Sequence, residues 1–206
     1  MSSREPRITP VAVADLRPTQ MTVGLREVDE KRKLWREKEK EGGSAYLGKH
    51  LIPVLLGPKR RSYVIDHHHL TRALLEEGVE HIATTVVADL SMLDTDAFWV
   101  FADNRGWCHP YDELGRRRSF DEIPKNLKGL KDDPFRSLAG ELRRAGGFAK
   151  ETTPFSEFLW ADFLRRRLKA ADVRQDFAAA LSKALRLAKS PKSQYLPGWC
   201  GPAADN

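Results

Sequence analysis

The chain has 206 residues, of which 41% are hydrophobic and 31% are charged. This composition excludes a disordered chain and predicts one domain of about 100–150 residues with a smaller helical appendage. There is no apolar run near the ~20 residues of a membrane span, no apolar signal core, and no disulfide or zinc pattern in its two cysteines, so we expect a cytoplasmic protein with no membrane contact.

Positive charge is concentrated in the C-terminal half of the chain. Residues 113–206 carry 19 Lys and Arg against 12 Asp and Glu, whereas residues 1–112 carry 16 against 17. A basic half is compatible with a polyanionic partner such as nucleic acid, and the triplets Arg116–Arg118 and Arg165–Arg167 are candidate contacts. Solvated helix faces explain the same charges, and the sequence leaves both interpretations open.

The apolar patterns predict an α+β domain over residues 1–92. The expected elements are a strand over 8–16 ended by Pro18, a helix over 23–40 with Thr22 as N-cap, strands over 51–56 and 62–65 that form a hairpin, a helix over 68–77 ended by Gly78, and a strand over 79–87. Pro53 suggests that its strand lies at a sheet edge or starts irregularly. The order strand–strand–helix–strand over 51–88 indicates a small mixed sheet with short connections.

A helical C-terminal region is predicted over residues 93–190. The expected segments are a helix that starts at Asp94, a polar loop over 102–118, helices over 133–145, 155–169 and 173–189, and a loosely ordered tail over 191–206. In the polar loop Cys108 stands beside His109, but neighbouring side chains usually diverge. We therefore favour a loop that covers a ligand, or ordinary packing of Trp107 and Tyr111, over a nucleophile pair.

The segment Asp66-His67-His68-His69 carries the most specific chemical signal in the chain. An apolar strand ends just before it and a helix starts within it, with Asp66 as a natural N-cap. The N–H groups and the dipole of a helix N-terminus favour anions, and the histidines and Arg72 add donors that bind phosphate oxygens. Arg60 and Arg61 would add positive charge if their turn folds towards the same place. The segment thus predicts a phosphate-binding site.

Helix geometry limits how many of the three histidines act together. Successive helical side chains point about 100° apart, so at most two of them share a target. A metal site built from all three is therefore disfavoured, although Asp66 with His68 or His69 could form part of a Mg²⁺ or Mn²⁺ shell. Purely structural roles for the histidines remain an alternative.

The order of elements around this segment resembles the core of the ParB/sulfiredoxin superfamily. There a short box at the same place holds nucleotide phosphates: Gly-Glu-Arg-Arg in ParB, Gly-Cys-His-Arg in sulfiredoxin and Asp-Gly-His-His-Arg in free-serine kinases. Leu16-Arg17-Pro18-Thr19-Gln20 is similar to the Leu-x-Pro-x-x-x-Gln segment that opens ParB domains and lies beside the nucleotide. The resemblance covers roughly residues 8–90 and is closest to the ParB-like nuclease group. It implies a nucleoside triphosphate or diphosphate as ligand, with Gln20 beside it.

The box of this chain departs from the family pattern at several positions. His67 stands where the kinase box has glycine, and Leu70 stands where the others have arginine. If Arg72 replaces that arginine, it acts from a different face of the helix. The sulfiredoxin cysteine is absent, which argues against sulfinic-acid reduction, and no helix-turn-helix with the length and spacing of a chromosomal ParB follows.

These observations predict a ParB-like protein that binds a nucleotide or nucleic-acid phosphate and acts as a nuclease or another phosphoester-handling enzyme. Asp66 would cap the helix and hold a divalent cation, and His68 or His69 would be the general acid or base. Arg72, or the cations of the turn before Ser62, would stabilise charge that develops on phosphorus. The alternatives are a non-catalytic nucleotide- or DNA-binding module of the partition type and a small-molecule kinase of the free-serine kinase type. The oligomeric state is left open.

Overall fold

The computed structural model describes residues 8–202. Its elements in chain order are β1 (Ile8–Ala12), β2 (Arg17–Pro18), β3 (Thr22–Val23), α1 (Leu25–Lys40), α2 (Ser44–Lys49), β4 (Ile52–Leu56), β5 (Ser62–Val64), α3 (His68–Glu76), β6 (His81–Asp89), α4 (Thr95–Asn104), β7 (Lys131–Asp132), α5 (Pro134–Arg144), α6 (Ser156–Arg165), α7 (Ala170–Gln175) and α8 (Phe177–Ala188). The predicted N-terminal start at residues 1–7 and the last residues of the predicted tail, 203–206, lie outside the described residues.

The chain divides into two compact units. The sheet unit comprises the residues up to Val23 together with Val28–Lys131, and the helical unit comprises Gly24–Glu27 and the chain from Asp132 onward. The sequence predicted a boundary after residue 92, but α4 packs in the sheet unit, where the ring centroids of Phe98 and Tyr63 are 4.5 Å apart. Across residues 8–202, no helix combines the length and apolarity that a membrane span requires.

The sheet unit is built on a five-stranded mixed sheet with the order β1-β6-β4-β5-β2. β1 pairs with β6 and β4 pairs with β5 in antiparallel fashion, whereas β4–β6 and β5–β2 are parallel pairs. Side chains of the central strands are fully buried, among them Ile52, Val54, Leu55 and Val64. The predicted α+β class and the strand–strand–helix–strand order over 51–88 are therefore confirmed.

Two prolines occupy strands in ways that the sequence analysis did not expect. β4 is a central strand, so the predicted edge position is wrong, although its ladder with β6 is irregular between Val54 and Leu55. The carbonyl of Pro53 accepts the N–H of Ile65 at 3.1 Å, just past the end of β5, so the missing N–H of Pro53 falls outside the ladder between β4 and β5. Pro18 was expected to end a strand, but it belongs to β2, which forms an edge of the sheet and pairs with Val64. An edge strand tolerates a missing N–H.

Most predicted helix ends are confirmed, and the exceptions have local causes. Gly78 has a φ of 75°, and Asp94 caps α4 by accepting the N–H of Ala97, both as predicted. α1 begins at Leu25, because Thr22 belongs to β3 and is not its N-cap. The predicted helix over 173–189 is two helices, since Asp176 leaves helical geometry and accepts the N–H of Ala179 as the N-cap of α8.

The helical unit has its own apolar core, and the end of the described chain packs onto it. Trp160 is fully buried, stacks on Phe148 at 4.4 Å, and donates its indole N–H to the carbonyl of Pro197 at 2.8 Å. Leu196 is also buried, and the N–H of Ala149 binds the carbonyl of Gly198 at 2.7 Å. The prediction of a loosely ordered tail is therefore wrong for residues 191–202, because these contacts fix it.

Glu77, at the end of α3, connects this helix to α1 through two arginines. Arg36 donates to both carboxylate oxygens at 2.6 and 2.7 Å, and Arg32 donates to one at 2.6 Å. Hydrogen bonds from Arg36 and then Arg32 lower the pKa of Glu77 to about 2, against the opposing effect of its desolvation. Because the carboxylate is bound in the folded state, it stabilises the fold above its ordinary pKa, and this contribution is lost as the pH falls towards 2.

We predict that Glu77→Gln lowers the free energy of unfolding by about 1–3 kcal/mol at pH 7, since hydrogen bonds to a charged acceptor are lost. The difference between wild type and variant should shrink as the pH is lowered from 4.5 towards 2, where the native carboxylate becomes protonated. Urea unfolding at several pH values measures it. A difference that stays constant over this range would show that the carboxylate is not the stabilising group.

Candidate functional site

One edge of the five-stranded sheet brings two predicted motifs together. β2 runs parallel to β5, so the residues that follow both strands leave the sheet at the same edge. Thr19 and Gln20 follow β2, and Asp66–His69 follows β5. The hydroxyl of Thr19 donates to the carbonyl of Val64 at 2.7 Å, which fixes the first segment against the end of β5.

His68 holds the same two segments together from the helix side. It is buried, with 4% of its surface exposed, and its Nε2 accepts the backbone N–H of Thr19 at 3.2 Å. An imidazole nitrogen that accepts an N–H carries a lone pair, so the ring is neutral and its proton is on Nδ1. His68 is thus a positioning residue for Thr19.

His67 occupies a backbone conformation that non-glycine residues rarely adopt. Its φ and ψ are 64° and 28°, the left-handed region, and its N–H binds Oδ1 of Asp66 at 2.6 Å. The prediction that Asp66 is the N-cap of α3 is wrong: His67, in the left-handed conformation, has the N-cap position, and it makes no side-chain cap. Within residues 8–202, the exposed His67 imidazole has no hydrogen bond or ring contact.

The other predicted binding residues are divided between this site and other parts of the unit. His69 is partly exposed in the first turn of α3. Gln20 is 6% exposed, and its amide N–H donates to the carbonyl of Thr22 at 2.7 Å. Arg60 and Arg61 lie in the turn before β5, at the opposite end of that strand from His67, so the turn does not fold towards the helix start.

The Arg72 side chain is hydrogen-bonded to other groups of the protein. Its Nη1 donates to the carbonyls of Leu127 and Lys128, both at 2.7 Å, and its Nε donates to Glu76 at 2.5 Å. These bonds hold the chain near residue 128 against α3. Phosphate binding by Arg72, which stays a prediction, would require exchange of these partners.

His109 is a site residue that the sequence analysis missed. Its N–H donates to the carbonyl of Thr19 at 2.8 Å, and it forms a parallel bridge with Gln20. This pairing joins residues about 90 positions apart, so no local pattern signals it. Cys108 does not form a nucleophile pair with it: burial and the Asp103 carboxylate raise the pKa of the Cys108 thiol to about 12, and its nearest polar partner is Asp103. A thiol with this pKa is not a thiolate at neutral pH.

The two basic triplets are largely engaged within the protein. Arg165 pairs with Asp133, Arg166 with Asp162, and Arg167 lies over the ring of Phe163. Arg117 and Arg118 pair with Asp103 and Glu122, but these four side chains are all more than a third exposed. Exposed ion pairs contribute little to stability and exchange readily with other anions.

The described residues, 8–202, do not form a dedicated metal site. Between residues 8 and 202, no group of three or more His, Cys, Asp or Glu side chains is placed to share one ion. Asp66 is exposed and offers one carboxylate at the mouth of the site. Mg²⁺ is often held by one or two carboxylates together with the phosphates of a substrate, so a role for Asp66 would depend on a bound ligand.

A mixed sheet with a histidine-rich helix start and a Thr-Gln segment at one edge defines an α+β protein of the ParB-like class. The family model described as "Putative ParB-like nuclease" matches residues 9–166, and the chain belongs to this family. This match extends well beyond the segment near residues 8–90 that carries the motifs.

A solved structure is similar over nearly the whole chain. It is the crystal structure of protein Atu1540 from Agrobacterium tumefaciens, with 54% sequence identity and a TM-score of 0.90. The alignment covers 96% of this chain and 98% of that one. A comparison with curated proteins finds no match.

We predict that His67→Gly is more stable than His67→Ala by about 1 kcal/mol, because only glycine adopts a positive φ without a clash at Cβ. Thr71, whose N–H and hydroxyl both bind the His67 carbonyl, keeps the local backbone in place in either variant. Denaturant unfolding of the two variants measures the difference. Equal stability would show that the backbone at this position is not strained.

Proposed function

We propose that this protein binds the phosphate of a nucleotide or a nucleic-acid strand at the start of α3 and acts on phosphoesters there. One observation carries the proposal: the Thr19 N–H binds His68 Nε2, so the Thr19-Gln20 segment lies against the helix start. The two motifs implied by the family resemblance, about 50 residues apart in sequence, therefore lie side by side, as a single phosphate site would require.

The start of α3 offers the donors that an anion requires. α3 has nine residues, and the first N–H groups of such a helix have no partner within it and carry the positive end of the helix dipole. The imidazoles of His67 and His69 add side-chain donors at the same end. A phosphate group is favoured at such a position.

All six histidines of the chain lie at this edge of the sheet. His50 precedes β4, His67–His69 follows β5, His81 begins β6, and His109 pairs with Gln20 after β2. The strand directions bring these strand ends to one side, because β4 and β6 are parallel and both oppose β5. Of these imidazoles, His67 and His69 stand at the start of α3, where they would donate to an anionic ligand.

His69 is the candidate general acid or base. His68 has a positioning role, because it holds Thr19 at the start of α3. His68 is buried and bound to Thr19, so it cannot exchange a proton with a ligand without losing that bond. His69 is partly exposed on the next position of the same turn. An imidazole that reaches the ligand can transfer a proton near neutral pH.

The second candidate is a non-catalytic module in which the ligand alters contacts with a partner. The bond between Thr19 and His68 favours it, because one of the two predicted catalytic histidines already has a structural role. Both candidates use the same phosphate site and differ only in turnover.

We predict that His69→Ala weakens binding of inorganic pyrophosphate about 10-fold, since it removes one charge-assisted hydrogen bond. Arg60→Ala is the matched control, because this exposed cation lies at the other end of β5 and should leave the affinity unchanged. Isothermal titration calorimetry measures both. Unchanged affinity in His69→Ala and also in His67→Ala, with intact folds, would rule out the phosphate site.

Turnover distinguishes the two candidates. Wild-type protein, incubated with single-stranded and plasmid DNA and Mg²⁺ or Mn²⁺, should cleave phosphodiesters if His69 is catalytic. His69→Ala should then lose the activity while Arg60→Ala retains it. Binding of pyrophosphate without any cleavage would identify the non-catalytic module.

A further inference from the structure

The polar loop after α4 contains a short hairpin next to the candidate site. Tyr111 and Arg117 form an antiparallel bridge, the N–H of Arg118 binds the carbonyl of Pro110 at 2.8 Å, and the N–H of Asp112 binds the carbonyl of Arg116 at 3.0 Å. We call residues 109–118 the 109–118 hairpin. Leu114, at its tip, is 57% exposed.

The base of the 109–118 hairpin is joined to the residues that hold the start of α3. The N–H of His109 binds the carbonyl of Thr19 at 2.8 Å, and the N–H of Thr19 binds His68 Nε2 at 3.2 Å. Thr19 therefore stands between the hairpin and the helix start, and a single residue separates them. The base of the hairpin and the start of α3 are therefore neighbours, each bonded to Thr19.

The hairpin presents a stacked pair of rings at this base. The ring centroids of His109 and Tyr111 are 4.4 Å apart and their planes differ by 24°. Both side chains are partly exposed, so the pair is not enclosed in the core. A planar base can stack on a flat aromatic surface beside a phosphate site. Inorganic phosphate and a phosphorylated aliphatic alcohol have no ring and cannot stack there.

We propose that the His109–Tyr111 pair binds the base of a ligand whose phosphate occupies the start of α3. The ligand class is thereby a phosphate that carries a nucleobase. This inference rests on the proposed phosphate site and adds to it the side chains that bind the base of the ligand.

The nucleobase belongs either to a free nucleotide or to a single-stranded nucleic acid. Arg116, Arg117 and Arg118 lie on the returning arm of the hairpin, and the last two form ion pairs with Asp103 and Glu122 in which every side chain is more than a third exposed. Adjacent phosphates of a strand could replace those partners. The two sources therefore form separate arms of the experiment.

The experiment compares inorganic pyrophosphate, a nucleoside diphosphate and a single-stranded hexanucleotide on the full chain by calorimetry. Wild type should bind the nucleoside diphosphate about 10-fold more tightly than pyrophosphate, in line with the stacking of one base. Tyr111→Leu and His109→Leu should lose this preference and keep their affinity for pyrophosphate, which also shows that they fold. Tyr111→Phe keeps the ring and should keep the preference.

The outcomes separate the two proposals. Equal wild-type affinities for the nucleoside diphosphate and pyrophosphate would overturn the base-stacking site and leave the phosphate site intact, as would a preference that survives both leucine variants. No binding of pyrophosphate would overturn the phosphate site and this inference with it. A preference for the nucleoside diphosphate that depends on the rings supports the inference. If the hexanucleotide binds more tightly than the nucleoside diphosphate, the ligand is a nucleic-acid strand; if it does not, the ligand is a free nucleotide.

Discussion

The hydrogen bond from the Thr19 N–H to Nε2 of His68 is the interaction on which the candidate site depends. It connects the segment after β2 to the start of α3, and the Thr19 hydroxyl strengthens the connection through the carbonyl of Val64. The carbonyl of Thr19 then accepts the N–H of His109. Breaking a hydrogen bond between buried groups costs free energy, because donor and acceptor are left without partners. Thr19 therefore keeps the segment after β2, the start of α3 and the segment at His109 in fixed register.

Local patterns predicted the elements around the site well, but not their assembly. The hairpin of β4 and β5, the helix after it and the positive φ of Gly78 follow from periodicity and turn chemistry within about 30 residues. Spacing along the chain does not signal the contacts of Arg72 with carbonyls near residue 128 or the pairing of His109 with Gln20. Both join distant segments, and only the folded sheet brings them together.

One feature of the site could have been predicted and was not. The kinase box has glycine where this chain has His67, and glycine at a strand-to-helix junction is a signal of positive φ. His67 has a positive φ of 64° in this chain, although it is not a glycine. Asp66 was assigned to the N-cap because its residue type favours that position, but the left-handed turn moves the cap one residue along.

The position of a bound anion tests the central claim most directly. In a crystal structure of the full chain with pyrophosphate, the account predicts phosphate oxygens about 2.7–3.2 Å from the N–H groups of the first turn of α3, with His67 or His69 as a further donor. The ring pair of His109 and Tyr111 should then lie beside the anion. Ordered pyrophosphate only at Arg116–Arg118 or in the helical unit, with none at the start of α3, would contradict it.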